Sequence, residues 1–66
     1  MRVRYDERAD TLYVRLAEAP IVESEEVATG VVIDFDERGE VVGFELLQAG
    51  ERRPSADLTH MDFEVA

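Results

Sequence analysis

The chain reads as an α+β domain that is mostly β: an antiparallel sheet of four to five strands, built on two hairpins, with a short helical segment near the C-terminus. Three observations predict this. Apolar and polar residues alternate through much of the chain up to Leu47, as in a sheet with one face turned inward. Turn-forming clusters interrupt the alternation at Asp6–Asp10 and Asp36–Gly39. After Leu47 the period lengthens towards that of a helix.

Arg2-Val3-Arg4-Tyr5 sets Val3 and Tyr5 on one face and the arginines on the other. Thr11 to Leu16 repeats the pattern with Leu12, Val14 and Leu16 inward. The polar segment Asp6–Asp10 between them suits a hairpin loop. Pro20 has no amide hydrogen to donate, so Glu18-Ala19-Pro20 ends the ladder. Ile21 to Ala28 carries Glu23, Glu25 and Glu26, placing charge on both faces. That is the pattern of an edge strand guarded against unwanted pairing.

Gly30 restarts the alternation, with Val31, Ile33 and Phe35 facing one way and Val32 and Asp34 the other. Asp36-Glu37-Arg38-Gly39 has the composition of a type I turn closed by a glycine at positive φ. Val41 to Leu47 follows, with Val42, Phe44 and Leu46 inward. Residues Leu46 to Arg52 predict a short helix covering one face of the sheet, weakened by Gly50 and stopped before Pro54. Ser55 has the hydroxyl to cap a further helical turn reaching Met61. Asp62–Val65 alternates again, as a final strand would. Tyr5, Tyr13, Phe35, Phe44 and Phe63 are most simply core, although alternation puts Tyr13 alone on the polar face, where it is free to anchor an interface.

A single domain accounts for 66 residues. At this size a chain buries only about 60% of the surface its unfolded state exposes, and further burial normally comes from disulfides, a metal or a partner. With no cysteine and His60 as the sole histidine, disulfides and thiolate or imidazole metal sites are poorly supplied. A homodimer is therefore expected. Sixteen acidic residues against seven arginines give a net charge of -9, which repels nucleic acid and attracts a basic protein. No signal-peptide-like or membrane-spanning apolar stretch is present, which predicts a soluble cytoplasmic protein with no membrane partner.

Tyr5-Asp6-x-x-Ala9-Asp10-x-Leu12-Tyr13-Val14-Arg15-Leu16 resembles the opening of a widespread prokaryotic family, the domain of unknown function 2283. Glu25-Glu26-Val27, Gly30 to Asp36 and Gly39-x-Val41-Val42-Gly43-Phe44-Glu45-Leu46-Leu47 continue the resemblance. It covers roughly residues 2–53, leaving 54–66 as an extension. The resemblance implies a compact β-rich domain with no assigned activity, and no cofactor is expected. It also implies pairing with a small toxin-like protein encoded alongside, in the manner of an antitoxin.

Several residues merit weighing as chemistry. Asp34, Asp36, Gly39 and Glu45 fall at positions 1, 3, 6 and 12 of a calcium-loop spacing. Arg38 occupies position 5, where an oxygen ligand belongs, and strands flank the segment, so turn chemistry accounts for the same residues. Asp34 and Glu45, on adjacent strands, are able to face each other across the outer surface, where Arg2, Arg4 or Arg15 would pair with them. His60 has Asp57 and Asp62 as candidate orienting partners, yet no nucleophile accompanies these groups. The leading expectation is a non-enzymatic interaction module using Tyr13, Glu23, Glu25 and Glu26 against a basic partner. A carboxylate-based ligand or metal site at Asp34, Asp36 and Glu45 is the alternative, and a purely structural homo-oligomer the third.

Overall fold

Five antiparallel strands form one sheet in the order β1-β2-β5-β4-β3. They are β1 (Arg2–Asp6), β2 (Thr11–Arg15), β3 (Glu23–Ala28), β4 (Val31–Phe35) and β5 (Val41–Leu47), followed by a single turn of helix, α1 (Ala49–Arg52). The structure, a computed structural model, describes residues 1–66. Tight connections pair β1 with β2, β3 with β4 and β4 with β5, whereas β2 meets β5 through a long-range pairing. No helix is long and apolar enough to cross a membrane.

The register sorts the side chains into two chemistries, because residues paired across an antiparallel ladder share a face. One face carries the rows Val3–Val14–Phe44–Ile33–Glu25 and Tyr5–Leu12–Leu46–Val31–Ala28. The other carries Arg4–Tyr13–Glu45–Val32–Glu26 and Arg2–Arg15–Gly43–Asp34–Ser24. The register shifts between Asp34 and Phe35, leaving Val42 as the extra residue of β5, and Val42 is the most deeply buried side chain at 1% exposure. Next to it, a Cβ on Gly43 would overlap the Val14 carbonyl, so β2 and β5 come this close only over glycine.

Two turns form as the residues dictate. Asp36 closes the β4–β5 turn by accepting the amides of Arg38 at 2.9 Å and Glu40 at 3.0 Å, with Gly39 at φ 76°. In the β1–β2 loop, Asp6 accepts the amide of Ala9 at 3.1 Å, and the Thr11 hydroxyl donates to the Ala9 carbonyl at 3.1 Å. Asp10, at φ 49°, then ties this hairpin to α1. Its carboxylate accepts the Tyr5 hydroxyl at 2.5 Å and the Gly50 amide at 2.9 Å, and its carbonyl accepts the Ala49 amide at 2.9 Å. The Tyr5 phenol is consequently pushed up to about 12 by its hydrogen bond to Asp10, while the same bond, with the Gly50 amide, holds Asp10 below the usual carboxylate range. The Tyr5-Asp6-x-x-Ala9-Asp10 pattern is thus an architectural device.

Beyond α1 the structure departs from the sequence expectations. The helix spans only Ala49–Arg52 and sits at the end of the sheet against Asp10, so it does not cover a face. Gln48 before it is left-handed, at φ 54°, which resets the chain after β5. No helix follows Ser55 and no strand forms at Asp62–Val65, since those residues find no backbone ladder to join. Phe63 is 65% exposed, outside the core assigned to it. The tail instead lies partly over the apolar face, where Asp57–Met61 and Val3, Tyr5, Leu12 and Val14 border one gap.

Candidate functional site

Six residues of the chain are buried, because a single sheet with no second layer leaves its apolar rows short of cover. The tail sits over the β1–β2 half of the apolar face and contributes Leu58, the only half-buried residue beyond Gly50. On the β5–β4 half, Phe44 remains 37% exposed between Val14 and Ile33. Glu25, paired with Ile33, and Glu23, paired with Phe35, close this side as an exposed acidic rim. β3 is bonded only to β4, and all six of its residues are exposed, as expected for an edge strand.

The four residues expected to bind a partner are therefore divided between the faces. Glu23 and Glu25 belong to the apolar side, while Glu26 pairs with Val32 and Tyr13 with Glu45 on the polar side. Tyr13 is half-buried there and lines a hollow of about 340 Å³ together with Arg2, Arg4, Asp34 and Glu45.

Asp34 and Glu45 do come together on this polar face. Asp34 is only 5% exposed and accepts the Ser24 hydroxyl at 2.6 Å. Burial, followed by hydrogen bonding with Asp34 and that group's charge, pushes the Glu45 carboxyl up to about 6. Their expected arginine partners bind elsewhere. Arg2 meets Glu18 at 3.3 Å and Arg4 meets Asp6 at 3.8 Å. Arg15 donates to the carbonyls of Ala17 at 3.1 Å and Ala19 at 2.7 Å, pinning the connection that leads to β3. The link was invisible locally, because Ser24 reaches Asp34 through the β3–β4 register, which no short window of sequence displays.

Asp36 does not join the pair, since the turn consumes its carboxylate, and no three histidine, aspartate or glutamate side chains converge as a metal cluster. Asp36 therefore works in the β4–β5 turn, while Asp34 and Glu45 lie on the sheet. His60 lies 3.2 Å from Asp62 with both side chains in solvent, and Asp57 is engaged by Thr59.

Comparison with curated proteins and with solved structures gives no match. Residues 2–49 match the family described as protein of unknown function (DUF2283), a span running from β1 to the start of α1. The matched span holds the whole sheet and the Asp10 anchor and leaves out the tail. This chain belongs to that family.

Proposed function

We propose that this protein is a non-enzymatic interaction module that docks a basic protein on its apolar sheet face, in the manner of an antitoxin neutralising a small partner. The observation that carries this reading is the open half of that face, where Phe44, Ile33 and Val31 lie beside the acidic rim of Glu23 and Glu25. Five strands spaced about 4.8 Å apart and five residues long give a face of roughly 24 by 16 Å, of which the half left open by the tail is about 200 Å². A standard interface takes about 800 Å² from each partner, so the occupant must engage the rim as well as the apolar rows.

Charge selects among occupants. A second copy would bring another net charge of -9 to the same place, whereas a partner rich in arginine or lysine gains from the glutamates in steering and in register. A purely structural homo-oligomer is the competing outcome.

The test is purification from the native host at low and high salt, with wild type, Phe44→Asp and Arg8→Glu in parallel. Arg8 lies in the exposed β1–β2 loop, outside the β5–β4 half of the apolar face, and serves as the control. A stoichiometric basic protein held by wild type and Arg8→Glu, and lost from Phe44→Asp, supports the proposal. Retention by Phe44→Asp, or a bare homo-oligomer at both salt concentrations, overturns it.

A further inference from the structure

The hollow on the opposite face has a chemistry of its own. Its carboxyl end is Asp34 and Glu45, and its guanidinium end is Arg2 and Arg4 on the edge strand β1. Tyr13 lies between the ends, in the row Arg4–Tyr13–Glu45. In the neighbouring row Arg15 lies opposite Gly43 and lines the hollow, with its guanidinium committed to the carbonyls of Ala17 and Ala19. At about 340 Å³ the space matches the lower range of small-ligand sites.

None of the chain's ion pairs joins the two ends. The arginines bind outward, to Glu18 and Asp6, through exposed pairs of the kind worth about 1 kcal/mol or less, which a ligand readily displaces. Asp34 is hydrogen-bonded to Ser24 and shares a hydrogen bond with Glu45, and no cation pairs with either carboxyl. A simple anion drawn to the arginines would be repelled by the carboxyl pair, and a simple cation by the arginines. A ligand bearing both charges satisfies both ends.

We infer that this hollow binds a short zwitterion of the peptide type, its ammonium group on Asp34 and Glu45 and its carboxylate on Arg2 and Arg4. The row geometry sets the length. Arg4 and Glu45 lie two strand spacings apart, about 10 Å, and an extended tripeptide spans at most about 10–11 Å. The Tyr13 ring lies under the middle of such a ligand. This site is on the face opposite the proposed protein-docking surface, so either assignment can fail without the other.

Triglycine is the probe, with N-acetyl-triglycine and triglycine amide as single-charge controls, titrated at low salt and pH 7.5 while backbone amide shifts are followed by NMR. The expected result is saturable shifts at Tyr13, Gly43 and Glu45, with about tenfold weaker binding when either terminus is blocked. Arg4→Gln and Glu45→Gln each weaken triglycine by a similar factor. Both positions are at least partly open to solvent, so these variants keep the fold where Asp34→Asn, at a buried site, risks losing it. Shifts that are absent, that lie away from the hollow, or that survive blocking of either terminus overturn the inference.

Discussion

The two faces of this one sheet differ in what they leave unfinished. The apolar face lacks cover: its rows are complete, but a single helical turn and a loose tail do not bury them. The polar face lacks counter-charges: Asp34 is buried beside Glu45, and the nearby arginines pair away from both. Unmet apolar area supplies affinity for a large partner, whereas unmet charge in a small hollow supplies selectivity for a small one. Five strands thus position two separable surfaces back to back.

The largest expected effect separates the faces directly. Phe44→Glu puts a charge in the centre of the apolar rows and is expected to weaken partner binding by about 100-fold, the range of a central interface anchor. Tyr13→Glu, on the other face, leaves partner binding unchanged, as measured by calorimetry on the purified pair. Equal losses from both would end the distinction between the faces.

Next in size is the anchor that both faces share. Asp10→Ala removes the acceptor for Tyr5 and Gly50 and is expected to lower the melting temperature by roughly 10 °C. Because the Tyr5 phenol is raised to about 12, the stability linked to it is present below pH 10 and is lost as pH rises through 12. Ultraviolet titration should show Tyr5 ionising late in wild type, and Asp10→Asn should return it towards 10.

Glu45 tests the polar face alone. Its carboxyl rises from 4.5 to about 6, so folding favours the protonated form, and the associated stability is present below pH 4.5 and lost as pH rises through 6. The full shift corresponds to about 2 kcal/mol, and solvent screening of a half-exposed group leaves about 1. Glu45→Gln is therefore expected to stabilise the protein by about 1 kcal/mol at pH 7.5 and to have no effect near pH 4, in paired urea titrations. The smallest effect belongs to the rim: Glu23→Gln with Glu25→Gln slows association about threefold at low salt, while Glu26→Gln, on the polar side, does not.

The sheet was legible because Val3/Tyr5, Leu12/Val14 and Val31/Ile33 alternate without interruption, and Gly39 marks its turn. The pairing of β2 with β5 was not, since contacts between Arg15 and Gly43 leave no local trace. The tail misled for a physical reason. Met61, Phe63 and Val65 alternate like a strand, but a pattern makes a strand only where a neighbour offers a ladder. At the polar hollow the meeting of Asp34 with Glu45 was readable from one hairpin, whereas the Ser24 contact and the outward pairing of the arginines needed the full register. The tie that Tyr5 and Asp10 make to Gly50 was equally hidden, since it joins positions forty residues apart.

Hydroxyl-radical footprinting of the protein, alone and bound to the basic protein proposed as its partner, reads the two faces side by side. Phe44, Leu46 and Ile33 are expected to become protected on binding while Tyr13 and Val32 keep their free reactivity. Protection centred on Tyr13 and Val32, or no change at Phe44, would contradict docking on the apolar face.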